Sequence, residues 1–272
     1  MDKKEIILKS KRGFFSNLVG NHSSIFSGSG IEFKDINEYS SSDSARHINW
    51  KKSTLDSIKV NTFSEDRELN IVLIYLNSGS LDFANKKQSA IEALSALSFA
   101  AIYAKESLST IFFNNKEQRF LKPTKKRAAI DINYDLANKL KYQSSIDFKK
   151  LNEYILQHIK KRSIVFIIGD FLQEVDLKII SALHEVYAII IRAKEEEELS
   201  LSGELNILDT NSSKSKLLTI NKRGQKLYNK KFKEQENRLF MELKKSKVHY
   251  TKIYTYEDTI NKLVKFTRKV YG

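Results

Sequence analysis

Short apolar runs alternating with helical segments constrain this fold more than any other feature of the chain. Three runs stand out, at residues 70–76, 163–168 and 186–191, and each is nearly free of polar side chains. Such continuous runs are typical of strands that are buried on both faces of a parallel sheet. The segments between them repeat apolar residues at helical spacing, and strands joined by helices require crossover connections. The sequence therefore predicts an α/β fold with a mostly parallel sheet flanked by helices.

The first quarter of the chain has a different character. Residues 20–69 are rich in Ser, Gly and Asn, and only short pieces such as 57–63 alternate between polar and apolar residues. That alternation indicates a half-buried strand. We therefore predict a β-rich, irregular N-terminal extension over residues 1–69 and an α/β domain over residues 70–272. The single proline, Pro123, predicts a loop within the second part.

Composition excludes several classes of protein. The chain has no cysteine, so disulfides, thiolate catalysis and Cys-ligated metals are excluded. The longest largely apolar stretch without charge, residues 93–104, is shorter than the roughly 20 residues of a membrane-spanning helix. The first residues lack the apolar region of a secretory signal. We expect a cytoplasmic protein and leave peripheral association with a membrane open.

Positive charge is concentrated near the C-terminus. The formal net charge is +14, and residues 201–272 carry 17 basic against 7 acidic groups. The densest part, residues 222–247, is a predicted helix whose basic residues are mostly lysine. Such a helix could bind nucleic acid or an anionic membrane without specificity. Because specific contacts to phosphates and bases favour arginine, we do not expect a nucleic-acid partner. We predict a solvated helix face, and non-specific binding of nucleic acid or an anionic membrane is the alternative.

Two serines and an aspartate follow predicted strands. Ser78 and Ser80 lie in a glycine-containing loop after the run at 70–76, and Asp170 comes shortly after the run at 163–168. In open α/β sheets, ligands bind outside the carboxyl ends of the strands. Hydroxyl and carboxylate oxygens suit Mg²⁺, so these side chains form a candidate site. The alternative is that they cap the following helix or turn.

Signs of catalysis are few. The sequence has no Gly-x-Ser-x-Gly motif, and none of its five histidines pairs with another at a metal-ligand spacing. Gly28-Ser29-Gly30 lacks the third glycine of a dinucleotide-binding loop. We therefore predict a protein that is not an enzyme. A metal-dependent hydrolase or phosphoryl-handling enzyme at the strand-end loops is the alternative.

A group of glycines, charged residues and aromatics marks the N-terminal part. Its members are Gly28, Gly30, Glu32, Phe33, Tyr39, Asp43, Arg46 and Trp50. We expect Asp43 and Arg46, three residues apart, to pair across a turn with Trp50 packed behind them. This group either fastens an irregular loop internally or presents a recognition surface of aromatics and arginine.

These residues resemble the hallmark of the bacterial family DUF58, roughly Gly-x-Gly-x-Glu-Phe, Arg-x-Tyr-x-Pro-Gly-Asp and Arg-x-Ile-Asp-Trp. Residues 167–171, Ile-Ile-Gly-Asp-Phe, are similar to the family's strand ending in Ser-Asp-Phe. The resemblance implies a von Willebrand factor A-like (vWA), Rossmann-like fold. It also implies a protein partner, namely a MoxR-type AAA+ ATPase, its client or an associated vWA protein.

The resemblance extends to the site, with one departure. The family's metal-ion-dependent adhesion site begins Asp-x-Ser-x-Ser, whereas residues 76–80 here are Leu-Asn-Ser-Gly-Ser. Loss of the aspartate at Leu76 implies a degenerate site that binds Mg²⁺ poorly, so we expect no cofactor and no metal. Thr124 is the candidate for the threonine that completes such sites.

In intact sites of this kind, a carboxylate of the partner completes the coordination of the cation. The resemblance therefore implies that Ser78, Ser80 and Asp170 form a partner-binding site. It implies an adaptor or scaffold that contacts its partner largely without metal, and we expect millimolar Mg²⁺ to leave its thermal stability unchanged.

Overall fold

The computed structural model describes residues 31–40, 48–54, 57–65, 69–140, 145–199, 203–209 and 214–271. For residues 31–35, 62–65, 203–209, 214–220 and 271, the backbone alone is described. The described residues form two compact units that divide between Leu69 and Asn70. Because residues 1–30 lie outside the described ranges, the extent of the N-terminal extension stays a prediction.

The smaller unit is built on an antiparallel pair of strands. Strands β1 (Ile31–Glu38) and β2 (Lys59–Glu65) pair with a bulge between Phe33 and Asp35. Ile48 forms an isolated bridge with Val60, whose side chain is buried. The strand predicted at residues 57–63 is therefore present, shifted by two residues towards the C-terminus.

The larger unit contains a six-stranded sheet. Its strands are β3 (Asn70–Leu76), β4 (Ser107–Phe113), β5 (Glu117–Thr124), β6 (Ile164–Gly169), β7 (Glu185–Arg192) and β10 (His249–Tyr254). They lie in the order β10-β7-β6-β3-β4-β5, and only the β4–β5 pair is antiparallel. Numbered by chain order within the sheet, this is the 3-2-1-4-5-6 order of doubly wound folds. The predicted vWA-like α/β fold with a mostly parallel sheet is confirmed. Strands β8 (Gly203–Asp209) and β9 (Lys214–Ile220) form a separate antiparallel pair.

Helices cover both faces of this sheet. They are α1 (Lys86–Tyr103), α2 (Ala128–Lys139), α3 (Phe148–His158), α4 (Lys178–Leu183), α5 (Lys194–Glu197), α6 (Lys222–Lys245) and α7 (Thr259–Tyr271). Helix α1 packs against α2 and α7 on one face. Helices α3, α4 and α6 bury Leu151, Ile180 and Leu239 against the other face, in one cluster with Ile74 and Ile167. Because successive strand residues point to opposite faces, burial on both sides requires the continuous apolar runs seen in the sequence.

Two further observations concern the edge of the sheet and the helices. Pro123 lies within the edge strand β5 and not in a loop as expected. An edge strand tolerates proline because one side of its backbone has no partner strand to bond.

Within the described ranges, every helix is too short or too polar to cross a bilayer.

Candidate functional site

The candidate site lies where the winding of the sheet reverses direction. Strands β3 and β6 are neighbours, but the chain continues from β3 towards β4 on one side and from β6 towards β7 on the other. The loops that follow the two strands therefore separate and leave a crevice, the position at which such folds bind ligands. Ser78 lies two residues after β3, and Asp170 directly follows β6.

The structure brings the three predicted site residues together. Ser78 Oγ donates a hydrogen bond of 3.2 Å to Asp170 Oδ1, and Ser80 Oγ donates to Asp170 Oδ2. The two hydroxyl oxygens are 3.1 Å apart. Ser78 makes no side-chain capping bond to the short 3-10 turn Gly79–Asp82, and α1 begins after Asn85. The serines therefore bind Asp170, contrary to the alternative that they only cap a helix.

A lysine that the sequence analysis did not single out completes this cluster. Lys86 Nζ lies 3.3 Å from Asp170 Oδ2 and forms a second ion pair with Glu196 Oε1, and its side chain is 0% exposed. Lys86 is the first residue of α1, and the two residues before it, Ala84 and Asn85, both have positive φ angles. This left-handed turn, which costs a non-glycine residue of order 1 kcal/mol, links the 3-10 turn to α1.

Glu196 comes from the short helix α5, which follows β7. Its other oxygen, Oε2, accepts a hydrogen bond from the backbone N–H of Ala193. The pKa of Glu196 is raised, mainly by burial and also by the charge of Asp170, while the Lys86 ammonium opposes this shift. This carboxyl group is therefore held at a cost in desolvation, which its bond to Lys86 offsets in part.

More charges extend the cluster over the ends of β7 and β10. The buried Arg192 donates to the backbone carbonyl of Asp170, and its Nε lies 3.7 Å from Glu236. Lys252 Nζ lies 2.9 Å from Glu236 and 2.8 Å from Glu197. Burial opposes the charge of Lys252, but hydrogen bonds that include those to Glu197 and Glu236 raise its pKa. Each of these cations is therefore matched to a carboxylate or carbonyl of the same edge.

The residues present do not fit the Mg²⁺ ion of an intact vWA-type adhesion site. Leu76 is buried in the apolar cluster, and it packs so closely on Gly169 that an added Cβ there would lie 2.7 Å from Leu76 Cβ. Thr124 pairs with Leu108 near the start of β4, at the opposite edge of the sheet, so the suggestion that it completes the site is wrong. Among the described residues, no group of three or more His, Asp or Glu side chains could hold a metal.

The N-terminal motif is described only in part. Gly28, Gly30, Asp43 and Arg46 lie outside the described residues, and for Glu32 and Phe33 of β1 the backbone alone is described. Tyr39 is exposed, and Trp50 is 74% exposed rather than packed as expected. Asn49, beside Trp50, donates from Nδ2 to Asn61 Oδ1 at 2.9 Å and so ties this segment to β2.

The lysine-rich segment at residues 222–247 has a polar outer face. It forms helix α6 as predicted, and it buries Phe232, Leu239 and Leu243. The lysines predicted to form the basic patch are all exposed, namely Lys226, Lys230, Lys231, Lys233, Lys244 and Lys245 on the helix and Lys247 just beyond its end. This arrangement agrees with a solvated helix face.

The fold and the site define a doubly wound α/β protein of vWA-like architecture, with a hydroxyl–carboxylate–ammonium cluster at the switch point of its sheet. The chain belongs to the family DUF58, described as protein of unknown function DUF58, whose profile matches residues 35–238. The sequence matches no curated protein.

Several solved structures are similar to this chain at low sequence identity. BatB from Bacteroides thetaiotaomicron has 10% identity and a TM-score of 0.44, covering 75% of this chain and 98% of that one. An aerotolerance-related membrane protein from Bacteroides fragilis, with multiple mutations to serines, also has 10% identity and a TM-score of 0.44, covering 74% of this chain and 97% of that one. The pilus adhesin RrgA from Streptococcus pneumoniae has 14% identity and a TM-score of 0.30, covering 38% and 20%. At this level of similarity, no function passes from these proteins to this chain.

Proposed function

We propose that this protein is a non-enzymatic adaptor or scaffold that binds a protein partner at the carboxyl edge of its large sheet. The partner class that the DUF58 resemblance implies is a MoxR-type AAA+ ATPase, its client or an associated vWA protein. The observation that carries the proposal is the cluster of Ser78, Ser80 and Asp170 at the switch point, where doubly wound folds bind ligands.

The pairing within the cluster supports binding rather than catalysis. A nucleophilic hydroxyl needs a base with a free lone pair, and histidine most often fills that role. The described histidines do not lie at this edge. His184 directly precedes β7, His249 is the first residue of β10, and His158 ends α3. Asp170 already accepts hydrogen bonds from two serines and Lys86.

The surface around the cluster offers contact area for a partner. Phe83 is 45% exposed in the loop between the 3-10 turn and α1, and its ring lies 5.9 Å from Lys86 Nζ. Beside the site, the segment after Asp170 and helices α3 and α6 enclose a groove of about 1170 Å³. Exposed aromatic side chains are common anchors in protein interfaces, and the groove, whose lining includes Phe171 directly after Asp170, adds concave surface.

The test is capture of partners by the tagged full chain from its native cell, with and without ATP. We expect an AAA+ ATPase or its client in the eluate, and we expect Phe83→Ala to weaken capture by about tenfold or more. The matched control is Leu183→Ala, since Leu183 is 48% exposed but ends α4 two residues before β7 begins, at the amino ends of the parallel strands.

Two outcomes would count against the proposal. Equal capture by Phe83→Ala and the unchanged chain would place the interface elsewhere. Turnover of phosphate or ester substrates with Mg²⁺ or Mn²⁺, abolished by Asp170→Ala, would favour the hydrolase alternative.

A further inference from the structure

We infer that Lys86 is the resident cation of the switch-point site, and that its ammonium balances Asp170 in place of a divalent metal. The inference concerns the chemistry of the site on which the proposed function rests. It identifies a residue outside the predicted site as the group that makes the site independent of metal.

The Lys86 ammonium lies among oxygen atoms that balance its positive charge. Asp170 and Glu196 each direct a carboxylate oxygen at Nζ, and the hydroxyls of Ser78 and Ser80 bond to the carboxylate of Asp170. Clusters of carboxylate and hydroxyl oxygens of this kind are the ligands that Mg²⁺ prefers. Here an ammonium with three donor hydrogens lies against both carboxylates.

The position of Lys86 is costly, which argues for a specific role. A lysine is almost never fully buried unless it is paired, yet this side chain is 0% exposed. Lys86 also starts α1, where the positive end of the helix dipole disfavours a cation. Burial and the dipole both oppose the ammonium, so the two carboxylates are what hold it there.

The two other cations near the cluster have different partners. Arg192 bonds to the backbone carbonyl of Asp170 rather than to its carboxylate, and Lys252 pairs with Glu197 and Glu236. A divalent ion at the Asp170 carboxylate would meet the charge of Lys86, and the apolar Leu76 offers it no ligand.

The test measures thermal midpoints of the purified full chain in EDTA and in millimolar Mg²⁺ or Mn²⁺. We expect the midpoint of the unchanged chain to be the same in all three. Lys86→Ala should lower the midpoint, and Mg²⁺, Mn²⁺ or methylamine should raise it again by at least about 3 °C, because each supplies the missing positive charge.

Two controls separate this effect from general stabilisation by salt. Lys87→Ala removes the neighbouring lysine, whose Nζ bonds to the carbonyl of Asn138, and should show no response to metal or amine. Lys86→Ala combined with Asp170→Ala removes the anion as well and should also show none. If Lys86→Ala does not fold, Lys86→Gln keeps a polar side chain of similar length without the charge and takes its place.

A rise in the midpoint of the unchanged chain with Mg²⁺ would overturn the inference, because a metal would then bind beside Lys86. A Lys86 variant that responds to neither metal nor amine would overturn it as well. As an independent measurement, the protons on Lys86 Nζ should exchange slowly with solvent. The ¹⁵Nζ resonance of Lys86 should not shift with Mg²⁺. None of these experiments uses a partner, so failure here is distinguishable from failure of the docking proposal.

Discussion

Removing the carboxylate of Asp170 is the perturbation that best isolates the energy of the switch-point cluster. Asp170→Ala takes one of two carboxylates from a fully buried ammonium and removes the acceptor of two serine hydroxyls. For unit charges 3.3 Å apart, Coulomb's law gives about 5 kcal/mol at an effective dielectric constant of about 20. Removal of one partner of a buried pair costs about 3–5 kcal/mol in practice. We expect the free energy of unfolding to fall by that amount.

Urea unfolding followed by far-UV circular dichroism measures this loss. Fluorescence is unsuitable, because the single tryptophan, Trp50, belongs to the smaller unit. The matched control is Glu198→Ala, which removes an exposed carboxylate near the same edge and should change stability by less than about 0.5 kcal/mol. Asp170→Asn keeps an acceptor oxygen and should fall between the two.

A double-mutant cycle with Lys86→Met tests the reasoning directly. If the ammonium and the carboxylate stabilise each other, Asp170→Ala and Lys86→Met together should cost less than the sum of the single changes, by about 1.5 kcal/mol or more. The reasoning is refuted if the two costs add within about 0.5 kcal/mol. It is also refuted if Asp170→Ala alone costs less than about 1 kcal/mol, since the buried ammonium would lose one of its two carboxylates and two serine hydroxyls would lose their acceptor.

Three further changes test other parts of the structure. Burial raises the pKa of Glu196 above 4.5, so the folded state binds this proton more tightly than the unfolded chain does. Stability therefore falls as pH rises from the pKa of the unfolded chain to that of the folded state. Glu196→Gln should flatten that part of a plot of urea midpoint against pH. Asp147 accepts from two backbone amides in the first turn of α3 at 3.1 Å, so Asp147→Ala should cost about 1 kcal/mol in urea unfolding, and no change would show that the cap is dispensable. Gly169→Ala places a Cβ 2.7 Å from Leu76 Cβ and should cost about 1–3 kcal/mol by the same assay; a neutral result would mean that the strand ends can move apart.

The sheet could be predicted because each of its buried strands is a continuous apolar run, which can be recognised from that segment alone. The residues of β3 and β6 must be apolar at nearly every position, since both faces are covered, and that requirement is visible without any knowledge of neighbours. The position of Ser78 and Asp170 followed from the same pattern, because carboxyl ends of parallel strands share one edge. Edge strand β5 could not be predicted in the same way. One side of its backbone has no partner strand, so it tolerates Pro123, and that proline led to the wrong prediction of a loop.

The role of Lys86 could not be predicted, because it depends on a contact across 110 residues of sequence. A lysine at the start of an apolar helix is ordinary until its burial is known. The run of four glutamates at residues 195–198 also gives no signal, because neighbouring glutamates are chemically identical. The fold alone directs Glu196 to Lys86 and Glu197 to Lys252.

Charge balance connects the leucine at position 76 with the lysine at position 86. The Lys86 ammonium lies against the carboxylates of Asp170 and Glu196, so this edge already holds two negative charges beside that cation. Position 76 is buried, so a carboxylate there would add a negative charge without a partner. It follows that returning an aspartate at Leu76 while Lys86 stays would add a carboxylate without adding room or charge for a metal. On this argument the lysine and the leucine act as a pair, and the site keeps the geometry of a cation site while its cation has become part of the chain.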